Sequence, residues 1–218
     1  MTTTTITSDW GLILVDPQNT FVRPADALSV PEASELCLMW ANLLSAARAG
    51  GAPIVGLART AVSNAQHPSH PSAGSGAKGV DAGQVLESQL QGPVFDTSSQ
   101  SDTGSDRQLD ELPRELTLTQ PADQVWDDPL AERILEKFRG RGVQAWVVAG
   151  VKTDHDVKST VLSLRSHDWP VYLLTDAVQG GTESGSSDAL REMKEAGASL
   201  IESATALIHW KKKTLAAS

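Results

Sequence analysis

The chain has 218 residues, 40% of them hydrophobic, with a formal net charge of −9 and a pI near 5.0. That is enough for one α/β domain, expected to span 1–218, and the acidic balance argues against an extended nucleic-acid surface, which needs clustered Lys and Arg. Cys37 is the only cysteine, so no internal disulfide forms, and no apolar stretch approaches the roughly 18 to 20 residues that cross a bilayer. The opening MTTTTITSDWG has neither the charged region nor the apolar region of an export signal, so the expected setting is the cytoplasm, with no membrane partner.

The first predicted element is the apolar run GLILV (11–15), which ends at Asp16 and Pro17. PEASELCLMWANLLSAARAGG follows, with Pro at its start, Gly at its end and apolar residues at helical spacing. A second run, PIVGLA (53–58), ends at Arg59. Residues 60–123 are an insert dominated by turn formers, as in SNAQHPSHPSAGSGAKG and DTSSQSDTGSDRQ, expected to be mostly loop with a strand near 124–126 or just before it. Loops of that length serve as lids or stay disordered, and both readings stand.

Beyond the insert, helices over 130–142, 155–167 and 186–197 alternate with the runs QAWVVAG (144–150), PVYLLT (170–175) and ASLIE (198–202). None of the five runs alternates polar with apolar residues, which is the pattern of strands buried on both faces of a parallel sheet. The chain therefore reads as an α/β, doubly wound, mainly parallel fold with right-handed crossovers. The basic run KKK (211–213) reads as a solvated tail.

Ligands of such sheets sit beyond the carboxyl ends of strands, where strand order reverses. Two strand ends carry chemistry: Asp16 after the first, and Lys152, Asp154, His155 and Asp156 after the fourth. Asp16 is either a turn-initiating carboxylate or a catalytic one; Asp156 is either a first-turn carboxylate favoured by the helix dipole or part of a site. Arg59 pairs either an anionic substrate or a local carboxylate. His67 and His70 lack an adjacent carboxylate and read as solvated loop residues, so no metal or other cofactor is expected. GGTESGSS (180–187) precedes a helix and could cradle an anion, but has neither the spacing nor the Lys of a phosphate loop.

The stretches LILVDPQNTF, PIVGLART and VQAWVVAGVKTDHDVKSTVLSLRSHDWPVYLLTDAV resemble the isochorismatase-like (nicotinamidase-related) cysteine hydrolase superfamily. Its members show an apolar strand followed by D-x-Q-x-x-F, later G-V-x-T-x-x-C-V-x-x-T, then a strand ending in D-A. Asp16, Gln18 and Phe21 match the first motif; Gly150, Val151, Thr153, Val157, Thr160, Asp176 and Ala177 match the rest. The resemblance implies a six-stranded sheet in the order 3-2-1-4-5-6, a small-molecule substrate, a homo-oligomer, and a cis bond between Val151 and Lys152. It also implies that Asp16 is the general acid/base, with the backbone at His155 and Asp156 forming an oxyanion-type site. The nucleophilic Cys of the family falls on Asp156. The family Lys has no counterpart: none occurs from 79 to 136, and Trp126, Asp127 and Asp128 occupy its neighbourhood. Substrate contacts are expected from Gln18, Phe21, Arg59, Trp126 and Lys152.

Amide hydrolysis through a thioester needs a thiolate, for which a carboxylate is a poor substitute. Family members that hydrolyse the vinyl ether of isochorismate need no thiol, because the first-strand Asp protonates the enol ether. Three readings follow: an acid/base hydrolase or lyase using Asp16 and Asp156, a disabled member kept as a binding or assembly subunit, and a carboxylate metal site of Asp16, Asp156 and a loop His.

Overall fold

The computed structural model describes residues 6–17, 33–59, 90–96, 109, 111–120 and 128–216. In chain order the elements are β1 (Trp10–Val15), α1 (Ala33–Ala49), β2 (Ile54–Arg59), β3 (Val94–Asp96), β4 (Glu115–Gln120), α2 (Pro129–Gly140) and β5 (Ala145–Val151). A π-helical turn (Thr153–Val157) leads into α3 (Lys158–Ser166), followed by β6 (Val171–Gln179), α4 (Glu183–Glu195), β7 (Ser199–Ile201) and α5 (Ser203–Ala216).

Every pairing in the sheet is parallel, and the strand order is β3-β4-β2-β1-β5-β6-β7. The six strands other than the short edge strand β3 run in the order 3-2-1-4-5-6, as expected. Their apolar runs lack alternation because both faces are covered. Ile13 and Val15 of β1 belong to one core with Ile134 and Phe138 of α2, Leu164 of α3 and Met193 of α4. Leu12 and Leu14 belong to the opposite core with Trp40 and Leu43 of α1 and Trp210 of α5. Burying these side chains fully contributes roughly 1.5 to 3 kcal/mol each.

The helices start where the chemistry of their ends permits. Asp128 accepts a hydrogen bond from Leu130 N–H at 2.8 Å, with Pro129 at the first helical position of α2. Thr182 caps α4 by accepting from Gly185 N–H at 3.1 Å.

The strand expected near 124–126 or just before it lies at Glu115–Gln120, and 124–126 itself is outside the described residues. ELTLTQ does alternate, burying Leu116 and Leu118. Glu115, at its head, takes a two-pronged bond from Arg48 of α1 (Nε to Oε2 2.9 Å, Nη2 to Oε1 2.7 Å), and Gln91 N–H donates to the same carboxylate. The insert also contributes β3.

The basic tail is a helix. Asp176 at the end of the β6 apolar run accepts from Ser203 N–H (2.8 Å) and Oγ–H (2.6 Å), capping α5 across the sheet edge. Trp210 is fully buried, and Gly50 faces it so closely that an added Cβ would lie 2.8 Å from the Trp210 Cβ. Lys213 bonds Asp9 at 2.8 Å, while Lys211 and Lys212 remain exposed.

That end of the molecule carries a pH-sensitive cluster. His209 stacks on Trp10 with 3.9 Å between ring centres, Trp10 stacks in turn on Tyr172, and His209 Nε2 lies 3.1 Å from Asp9 Oδ1. Burial pushes the His209 imidazole below 6.5, outweighing the pull of Asp9. For Asp9, burial raises the carboxyl, but the Lys213 hydrogen bond and the nearby positive groups bring it below 3.8. In both cases the unfolded chain binds protons more readily than the folded one, so stability rises with pH. The His209 contribution is complete above pH 6.5 and is lost as pH falls through its depressed folded value; that of Asp9 is complete above 3.8 and is lost at still lower pH. Urea unfolding is expected to show falling stability from pH 7 to 5, and His209→Gln to flatten that slope.

Candidate active site

β1 and β5 are neighbours in the middle of the sheet, with Val15 opposite Gly150. Their carboxyl ends therefore set Asp16 and the turn 152–157 along one edge of the sheet. Asp16 is 3% exposed and Asp156 is 7% exposed.

Asp16 has φ 46°, in the left-handed region that Asp and Asn tolerate better than most side chains. Its N–H donates to Leu57 O at 2.9 Å, which binds the end of β1 to β2. Gly150 has φ 139°, and a Cβ there would fall 2.2 Å from Val15 O. Only glycine lets β5 end this close to β1, which is how the two carboxylate-bearing segments become neighbours. Gly150→Ala is expected to lose about 3 kcal/mol or more of unfolding free energy, from combined φ strain and overlap with backbone. Urea titration checks this.

Lys152 reverses the chain with φ 61° and ψ 65°. Its N–H donates to Gln179 O at 2.9 Å, and its carbonyl accepts from His155 N–H (2.9 Å) and Val157 N–H (3.2 Å). The expected cis bond before it is absent: the Val151–Lys152 peptide is trans, and the turn is made instead by the left-handed Lys152. His155 N–H, expected to help stabilise an anion, is instead engaged by Lys152 O. The His155 side chain is 70% exposed, with Nε2 3.8 Å from Asp154 Oδ2.

The remaining motif residues support the frame. Thr153, Val157 and Thr160 are buried, and Ala177 O accepts from Trp40 Nε1–H at 3.0 Å. Lys158, just past the turn, pairs with Glu192 of α4 at 3.1 Å. Asp128, beside the expected place of the family Lys, is accounted for as the α2 cap.

Arg59 closes β2, next to β1 on the same sheet edge, with its backbone opposite Gln120; its side chain lies outside the described residues. Gln18, Phe21, His67, His70 and Trp126 also lie outside them. Among the described residues, no group of three or more His, Cys, Asp or Glu is placed to hold a metal ion. Among the same residues, no helix is long and apolar enough to cross a membrane. Sequence reasoning missed the role of Gly150, although its place directly after a buried apolar run was a visible signal.

A comparison with protein-family models matches the isochorismatase domain over residues 11–205. The chain belongs to the isochorismatase domain family. Solved structures of similar fold include a cysteine hydrolase from Pseudomonas syringae pv. phaseolicola 1448A, at TM-score 0.66 and 16% identity, covering 94% of this chain and 93% of that one. An isochorismatase family protein from Desulfovibrio vulgaris subsp. vulgaris str. Hildenborough gives TM-score 0.65 at 19% identity over 95% of this chain and 98% of the other. The pyrazinamidase of Pyrococcus horikoshii, solved in complex with zinc, gives TM-score 0.58 at 25% identity over 89% and 99%. Comparison with curated protein sequences gives no match.

Within this family of hydrolases the single cysteine argues against a catalytic Cys triad. Cys37 is on α1, partly buried against the α1/α5 core, and burial raises its thiol pKa. A thiol held protonated among apolar side chains is a poor nucleophile.

Proposed function

We propose that the protein is an isochorismatase-family hydrolase or lyase that works by Asp acid/base chemistry, without a thiol, on a small anionic metabolite such as an isochorismate-type enol ether. The observation that carries this reading is the pair of buried carboxylates, Asp16 and Asp156, on the adjoining ends of β1 and β5. Asp16 donates its proton to the terminal carbon of the enol ether. Water adds to the oxocarbenium carbon so formed, and the hemiketal collapses to an alcohol and a keto acid. One water is consumed and Asp16 recovers its proton.

Two like charges in one poorly solvated crevice cannot both ionise cheaply, so Asp156 favours the protonated form of Asp16. Arg59 and Lys152 are placed at the same sheet edge and would supply positive charge to an anionic substrate, with Gln18, Phe21 and Trp126 as further contacts. The alternative is a family member that keeps the fold as a binding or assembly subunit, favoured by the loss of both the Cys and the Lys.

The test is release of pyruvate from isochorismate by the purified chain and by Cys37→Ser. Turnover by both at similar rates is expected. No turnover of isochorismate or its amino analogue, with no ligand-induced rise in melting temperature, would select the assembly reading.

A further inference from the structure

Four large apolar side chains stand exposed among the described residues, and three of them belong to one helical layer: Leu38 (70%) on α1, and Ile208 (55%) and Leu215 (70%) on α5. Both helices turn their other faces into the same core, through Trp40, Leu43, Ala206 and Trp210. Their outward stripes follow helical spacing. Glu35, Leu38, Asn42, Ser45 and Ala49 are exposed on α1, and Ala204, Ile208, Lys211 and Leu215 on α5. Past Glu35 the α1 stripe carries no charge, whereas the exposed face of α2 carries Glu132, Arg133, Glu136 and Arg139. A solvated helix face is charged and polar, and apolar side chains set in a charge-depleted surface mark a face made to be covered.

The two helices run in the same direction. Near their starts, Trp40 Nε1–H bonds Ala177 O and Asp176 caps Ser203; further along, Gly50 meets Trp210. Charge is therefore sorted along the layer. Glu35, and the exposed Glu202 just before α5, lie at one end, and the exposed Lys211 and Lys212 lie at the other. Lys213 is already held by Asp9.

Such a face is complementary to itself. A two-fold axis perpendicular to the helices reverses their direction in the second copy, so the acidic end of each copy meets the basic end of the other. An axis parallel to the helices would instead set lysines level with lysines. Two chains of net charge −9 repel one another except where a surface carries matched charges, and this one does.

We propose that the α1/α5 layer is the interface of a two-fold homodimer whose helices pack antiparallel across the axis. Leu38, Ile208 and Leu215 form its apolar centre, and Glu35 and Glu202 face Lys211 and Lys212 of the partner subunit. The dimer does not require the acid/base reaction proposed above, so either reading can fail without the other.

Sedimentation equilibrium of the full chain tests this. At micromolar concentration the expected mass is twice 23.1 kDa, and Ile208→Glu is expected to give a monomer with an unchanged melting curve, since the side chain is exposed. A charge exchange tests the direction of packing. Within one chain Glu35 precedes Gly50, at the level of Trp210, by a helical rise of about 22 Å, so it is screened from its own Lys211 and Lys212. Glu35→Lys alone, and Lys211→Glu with Lys212→Glu, are each expected to weaken the dimer about 10-fold. All three changes together should restore it to within about threefold, because the ends again carry opposite charge. A monomeric wild-type chain overturns the proposal, including one that binds phosphatidylglycerol vesicles, which would make the face a lipid contact. So does a dimer that survives Ile208→Glu, or a combined variant weaker than either of its parts.

Discussion

Asp16→Asn is expected to leave the fold intact and to lower kcat/KM for enol-ether hydrolysis about 10²- to 10⁴-fold, the usual worth of a positioned general acid. Asn is the right replacement because of the backbone. Asp16 sits at φ 46°, where Asn is tolerated and a β-branched or bulky residue is strained, and its N–H must still reach Leu57 O. The substitution therefore removes an ionisable proton while keeping shape and backbone hydrogen bonding. An unchanged melting temperature shows that the fold is kept, and steady-state kinetics then read the chemistry alone. Equal kcat/KM for the two proteins would remove Asp16 from the mechanism.

The sheet was legible because a parallel strand covered on both faces leaves an uninterrupted apolar run, as GLILV and QAWVVA do. What was not legible depended on partners distant in sequence. The cap of α5 comes from Asp176, 27 residues before Ser203, and the helix is held by Trp210 against the opposite core, so the local run KKK suggested only solvation. ELTLTQ was hidden by the turn formers around it, although its own Leu116 and Leu118 alternate correctly for a strand with one deeply buried face. At the site, the sequence placed Asp16 and Asp156 on adjoining strand ends, since strand order decides that. It could not foresee the left-handed Lys152 or the engagement of His155 N–H, which follow from how one turn closes its own hydrogen bonds.

Asp156 decides between two chemistries. If it acts on Asp16 by charge, Asp156→Asn removes the like-charge repulsion and makes Asp16 easier to ionise. A general acid must be protonated to work, so the descending limb of the pH–rate profile, where activity is lost as pH rises, moves to lower pH in the variant. Activity on the acidic side of that limb stays within about tenfold of wild type, because the neutral amide keeps the shape. If Asp156 were instead a covalent nucleophile, the variant would be inactive at every pH. Asp156→Cys separates the site from the thiol chemistry of its family. The introduced sulfur would lie in a turn whose His155 N–H is already bonded to Lys152 O, in a chain with no Lys from 79 to 136. Without a counterpart of the family Lys, and with His155 N–H engaged, such a thiol forms little thiolate and stabilises its tetrahedral intermediate poorly. Nicotinamide hydrolysis by the cysteine variant is therefore expected to stay at background, measured as ammonia release. Efficient turnover would show that Lys152 or another cation replaces the missing Lys, and that one substitution separates this site from a cysteine amidase.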